Sequence, residues 1–182
     1  GPTIPVDPNN PYGPSYLNPM FGAMQQVGDI EGGAFSMLVD GLAEEGYWSD
    51  AKVFGSVAYS KTDPDGLDMM GKPNEMLGSA ESETGTSYWF GAYLPVTDGE
   101  ENYGTVGLEY NHGSQYWRPF TYAEDTMVGS KMAVRGDAWE TNWTYQLTEA
   151  LSMQLRYVSM DYDYTGSNGF FGSTTGAAMK IS

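Results

Sequence analysis

The sequence predicts an all-β fold, six strands of an antiparallel up-and-down transmembrane β-barrel that cannot close within this chain. Three observations predict it. Segments at 51–61, 86–94, 102–111, 132–147 and 151–163 alternate apolar or aromatic residues with small or polar ones, the period of a strand with two different faces. Each is long enough to cross a bilayer as a tilted strand, which takes roughly 9–11 residues. The connections between them alternate short and long, as tight turns on one side of a membrane and long loops on the other would. The 24 Gly and the 14% aromatic content favour β over α structure. A mean hydropathy of -0.43 does not oppose a membrane location, because only alternate residues of a barrel strand meet lipid.

The first strand is expected at 31–43, where Phe35, Met37 and Val39 alternate with Ala34, Ser36 and Asp40. Leu38 and Leu42 break the pattern and leave a short helix as the competing reading. The turn that follows carries Tyr47 and Trp48, an aromatic pair suited to a membrane interface. In 51–61, Val53, Gly55, Val57 and Tyr59 take one face, and Lys52, Ser56 and Ser60 the other. In 86–94, Tyr88, Phe90, Ala92 and Leu94 oppose Trp89, Gly91 and Tyr93. The turn after it contains Asp98-Gly99, a strong hairpin signal. In 102–111, Val106, Leu108 and Tyr110 oppose Thr105, Gly107, Glu109 and Asn111. Tyr116, Trp117, Phe120 and Tyr122 then open a long loop in the manner of an aromatic girdle. In 132–147, Trp139, Thr141, Trp143, Tyr145 and Leu147 oppose Ala138, Glu140, Asn142 and Thr144. After the turn at Thr148-Glu149-Ala150, Leu151, Met153, Leu155 and Tyr157 oppose Ser152, Gln154 and Arg156.

The organisation that results is a Pro- and Asn-rich extended loop or linker over 1–28, then barrel strands over 29–182. Long extracellular loops are expected at 62–85, 112–131 and 164–182. The smallest single-chain barrels have roughly eight strands. The remaining strands are therefore expected from the rest of a longer chain or from other subunits. The start at Gly1, without a signal peptide, and an end without a closing strand fit a portion of a larger polypeptide.

Three strings carry a family resemblance: Val57-Ala58-Tyr59-Ser60-Lys61-Thr62-Asp63-Pro64, Gly107-Leu108-Glu109-Tyr110-Asn111-His112-Gly113-Ser114-Gln115-Tyr116-Trp117, and Asp161-Tyr162-Asp163-Tyr164-Thr165-Gly166-Ser167. They resemble the C-terminal half of a family of Gram-negative outer-membrane, porin-like barrel proteins catalogued as a domain of unknown function. The likeness runs over most of 29–175. It implies an outer-membrane location and a longer parent with an N-terminal half, and it supplies no catalytic set.

Charge narrows the function classes. There are 24 acidic against 8 basic residues, a net charge of -16, so nucleic acid is not an expected partner. Outer-membrane lipid and lipopolysaccharide are the expected surroundings. With no Cys, the chain offers no disulfide, thiolate metal site or covalent haem attachment. By parity Lys52, Ser56, Glu109, Asn111, Glu140, Asn142, Gln154 and Arg156 face away from lipid, since Arg or Lys facing it at mid-depth costs about 2–4 kcal/mol. They are the expected pore lining of a channel that passes small hydrophilic solutes or ions, with cation preference from the acidic balance. The opposing reading is an interior plug in which Arg156 pairs with Glu140 or Glu109. A barrel scaffold that sheathes or presents a partner, such as an electron-transfer cytochrome, is the alternative function.

Two motifs point to other chemistry. Asp63, Asp65 and Asp68 alternate around Gly66 as oxygen ligands of calcium would, but the EF-hand spacing is absent. No cofactor is expected beyond calcium in such acidic loops. His112 and Ser114, two apart on a strand, share a face and resemble the base and nucleophile of outer-membrane phospholipases, with Asn111 a poor orienter by parity. The catalytic set is nonetheless expected to be empty. Arg118, Lys131 and Arg135, near the long-loop side, could pair with lipopolysaccharide phosphates.

Overall fold

The computed structural model describes residues 28–65, 77, 79–119, 130–166 and 178–181. They form one six-stranded sheet in sequential order: β1 (Gly28–Asp40), β2 (Lys52–Pro64), β3 (Glu83–Asp98), β4 (Glu101–Gly113), β5 (Gly136–Thr148) and β6 (Leu151–Tyr162). All neighbours are antiparallel. Helical structure among the described residues is confined to the 3-10 turns Tyr47–Ser49 and Lys131–Ala133. The sheet is open: among the described residues β1 pairs only with β2, and β6 only with β5.

All six expected strands are present, and the helical alternative for 31–43 gives way to β1. Boundaries differ: β1 starts at Gly28 rather than at 31 and ends at Asp40 rather than at 43, and β2 runs on to Pro64. The β3–β4 hairpin runs farther at both ends, turning at 99–100 with Gly99 at φ 62. The fifth strand begins at Gly136 rather than at 132. Gly136 has φ 142 and lies so close to the Asp161 carbonyl that a Cβ would reach 2.2 Å from it. The chain enters β5 there through a conformation that L side chains rarely adopt, and 131–133 coils instead of extending.

The register carries each side-chain parity across the whole sheet. One row on the outer face runs Met37, Gly55, Phe90, Tyr110, Trp139, Ser159. The next runs Val39, Val53, Ala92, Leu108, Thr141, Tyr157. Tyr110 stacks obliquely between Phe90 and Trp139, at centroid distances of 5.2 and 4.5 Å. Such cross-strand aromatic pairs contribute about 0.2–1 kcal/mol each. Yet this apolar face is bare: Phe35 is 69% exposed, Leu108 54% and Tyr157 68%.

The other face holds the interior. Among the described residues no second sheet covers it. Instead residues 114–119 after β4 and 130–135 before β5 fold back onto it and lie over β2 to β5. Arg118 N donates to Ser60 Oγ of β2 at 3.0 Å, Trp117 Nε1 to the Met132 carbonyl at 2.8 Å, and Arg135 Nε to the Trp117 carbonyl at 3.0 Å. Room for this segment is left by two glycines. A Cβ at Gly85 would lie 2.3 Å from the Trp117 backbone, and one at Gly113 would lie 2.0 Å from the Val134 carbonyl.

Candidate functional site: a charged cluster on the inner face

The register places Glu109 of β4 directly opposite Glu140 of β5. Both are buried, and like charges facing each other across a strand pair destabilise a sheet. The fold-back segment supplies the answer. Lys131 Nζ donates to Glu109 Oε2 at 2.7 Å and to Glu140 Oε2 at 2.6 Å. Arg156 of β6 donates to the same Glu140 oxygen at 2.6 Å. The outstanding oxygens are also met: Glu109 Oε1 accepts from Tyr93 Oη at 2.5 Å, and Glu140 Oε1 from Asn142 Nδ2 at 3.1 Å. Trp89 Nε1 adds a bond to Glu109 Oε2 at 2.9 Å, and the Lys131 ammonium stands 5.6 Å from the centre of its ring.

Burial by itself would lower the Lys131 pKa. The hydrogen bonds it donates to Glu109 and Glu140, with their charges, outweigh it and hold the ammonium above the ordinary lysine range. The lysine backbone is fixed as well, because Asn111 Nδ2 donates to its carbonyl at 2.7 Å and Ser87 Oγ donates to Asn111 Oδ1 at 3.3 Å. Two carboxylates and two cations make a cluster with no local net charge. It forms one wall of a cavity of about 300 Å³ whose rim carries Thr105, Thr144 and Gln154.

All eight expected lining residues share this face. Glu109, Asn111, Glu140, Asn142 and Arg156 meet in or beside the cluster. Lys52 lies apart, paired with Asp40 at 2.8 Å, and Ser56 bonds Ser36 at 2.8 Å. Gln154 reaches Thr144 Oγ1 at 3.0 Å on the cavity rim. The Arg156–Glu140 pair, which the interior-plug reading expected, is present. Lys131 is the member that parity did not assign to the interior.

Two expectations are corrected, for the three basic residues and for Trp117. Arg118, Lys131 and Arg135 are 3%, 4% and 1% exposed, so these three do not present themselves to lipopolysaccharide. Trp117 is buried over the inner face and belongs to no girdle; Phe120 and Tyr122 lie outside the described residues. Asp63 pairs in register with Asp29 at the end of β2, and Asp65 follows it. Asp68 lies outside the described residues, and among those described no three His, Asp or Glu come together to hold a metal.

His112 and Ser114 stand at the long-loop end of the outer face. His112 Nδ1 meets Asp137 Oδ1 at 2.8 Å, Tyr110 Oη donates to the same oxygen at 2.5 Å, and Tyr88 stacks on the imidazole at 5.0 Å. Asp137, which the sequence reading did not consider, is the imidazole's partner. Asn111 points to the other face. Ser114 Oγ accepts the Thr86 amide at 2.9 Å while the Ser114 carbonyl accepts the Trp117 amide at 3.0 Å. The hydroxyl thus takes over the ladder bond that its own carbonyl leaves when the chain turns inward.

Comparison with known proteins gives one match. The model of a family described as "Protein of unknown function (DUF3373)" covers residues 9–182. No curated protein matches the chain, and no solved structure matches it.

Proposed function

We propose that this chain, which belongs to the DUF3373 family, forms one wall of a transmembrane β-barrel in a bacterial outer membrane and takes part in a porin-like channel for passive diffusion of small hydrophilic solutes or ions. The observation that carries the reading is the two-sidedness of the sheet. One face presents rows of exposed Phe, Leu, Val, Trp and Tyr side chains; the other buries carboxylates and cations. A soluble protein rarely leaves so wide an apolar surface to water, whereas lipid against one face and water against the other suits both. The tight turns at 99–100 and 149–150 face the periplasm on this reading, and the opposite ends of the strands, at Pro64, Glu83, Gly113 and Gly136, lie on the outer side. The open edges of β1 and β6 take further strands from the rest of a longer chain or from other subunits, which satisfies their backbone groups in lipid.

The charged cluster is locally neutral, so cation preference must come from the acidic surplus of the chain as a whole. Planar-bilayer conductance of the full-length parent, with a reversal potential under a salt gradient, tests the reading. Discrete steps with a cation-selective reversal are expected. A folded, detergent-dependent barrel that stays silent overturns the channel, and an anion-selective reversal overturns the cation preference.

A further inference from the structure

We infer that Lys131 is the pin of a built-in constriction: it fastens the β4–β5 connection across the inner face, and the width and charge of the passage are set there. The inference rests on the channel reading above and deepens it. It begins with the path of the chain. Ser114 gives its hydroxyl to the sheet ladder, so the backbone leaves β4 toward the interior instead of continuing outward. Gly85 and Gly113 lack the side chains that would obstruct that path. The 3-10 turn at Lys131–Ala133 then sets Lys131 at the level of Glu109, well inside the end of β4 at Gly113. Asn111, Trp117 and Ser60 hold the backbone on either side.

The chemistry of the pin follows from its bonds. Glu109 and Glu140 each have both oxygens engaged, so neither offers a bare carboxylate to a passing cation. With Lys131 in place the narrow point is neutral and hydrogen-bonding, and it fits small uncharged or weakly charged hydrophilic solutes. Without Lys131 it becomes wider and carries the excess of two carboxylates over Arg156. Lys131 is therefore a specificity-determining residue for the proposed transport.

The test uses the full-length parent in outer membranes. The chain has no cysteine, so a single Thr144→Cys on the cavity rim reports access from the long-loop side to a bulky, membrane-impermeant methanethiosulfonate reagent. Lys131→Met should speed labelling by about ten-fold, and Lys131→Arg should restore slow labelling; in bilayers Lys131→Met should raise unit conductance by about two-fold and move the reversal potential toward cations. Where Lys131→Met fails to assemble, the combination Glu109→Gln, Lys131→Met leaves Glu140 paired with Arg156, releases the segment without stranding charge and should give the faster labelling alone. Labelling as slow in the released variants as in the parent overturns the constriction, whether or not the parent conducts. A silent parent in which labelling accelerates removes the channel reading and keeps the segment as the barrier.

Discussion

Lys131 Nζ lies 2.7 Å from Glu109 Oε2 and 2.6 Å from Glu140 Oε2, one ammonium between two carboxylates that face each other across β4 and β5. A buried pair broken by removal of one partner costs about 3–5 kcal/mol, because the remaining charge is left desolvated. Lys131→Met should therefore lower unfolding free energy by about that amount. Glu109→Gln, Lys131→Met together should cost less than the single change, since Glu140 keeps Arg156 and no buried charge is orphaned. Urea unfolding of the lipid-reconstituted parent measures both. A single variant no less stable than the parent would mean that the ammonium is solvated and the cluster is not the anchor.

Two glycines report on the same segment without touching its charges. Gly85→Ala and Gly113→Ala place a Cβ within 2.3 and 2.0 Å of backbone atoms of the fold-back segment. Overpacking of this kind costs about 1–3 kcal/mol, and the strain falls on the segment, because an L residue is otherwise at home in these extended strand positions. Hydrogen exchange at the Trp117 indole, which donates to the Met132 carbonyl, should accelerate in both variants. Gly55→Ala is the control, with no heavy atom within 4 Å of its added carbon, and it should leave that exchange unchanged.

Alternation made the sheet legible. Val106, Leu108 and Tyr110 against Thr105, Gly107, Glu109 and Asn111 assign both faces of β4 from period alone, and antiparallel register then extends the assignment to its neighbours. Lys131 was not legible in the same way. Where a loop cation lands is set by tertiary folding, and an isolated Lys before Met132 carries the same local pattern whether it faces water or the interior. The signals that could have found it were Gly85 and Gly113 on the inner face and two acidic residues, Glu109 and Glu140, in need of a cation. Residues 132–135 are expected as the start of the fifth strand, although Met132 and Val134 carry apolar side chains on the parity of Ala138 and Glu140 rather than that of Trp139. The positive φ of Gly136 interrupts that strand, and composition does not reveal a backbone angle.

The two faces of the sheet predict opposite responses to the same new charge. Leu108→Arg puts a guanidinium in the middle of the bare apolar face, where lipid at mid-depth charges about 2–4 kcal/mol for it. Gln154→Arg puts one on the cavity rim beside water. Heat-modifiable electrophoresis of the reconstituted parent should show assembly reduced by Leu108→Arg and retained by Gln154→Arg. Equal tolerance of both would sink the lipid-facing assignment, since a water-exposed face is indifferent to an added Arg.

Ser114 offers a prediction about chemistry. Its hydroxyl oxygen accepts the Thr86 amide and fixes the inward turn, a structural duty that conflicts with attack on an ester. The purified parent should hydrolyse no phospholipid, and Ser114→Ala should instead cost about 1 kcal/mol of stability through the lost hydrogen bond. Fatty-acid release that disappears in Ser114→Ala would reverse this assignment and make the His112–Asp137 contact the orientation of a base.

The pH dependence of the constriction follows from the direction of one shift. Lys131 binds its proton more tightly in the folded protein than its ordinary value of 10.5. A raised pKa contributes stability that is fully present below the unfolded value and is lost as pH rises through the folded one. Labelling of Thr144→Cys, corrected for ionisation of the attacking thiol and for hydrolysis of the reagent, should thus stay flat from about pH 7 to about pH 10, as the ordinary lysine range sets its lower edge of loss. Above that range it should accelerate as the ammonium deprotonates and the segment loosens. Glu140 keeps Arg156 throughout, because a guanidinium does not deprotonate in that range, so the sheet survives while the segment lets go. Lys131→Arg should abolish the alkaline acceleration for the same reason. An opening already complete near neutral pH would mean that desolvation of the lysine prevails over its two carboxylates, and the pin would then be too weak to hold the connection in place.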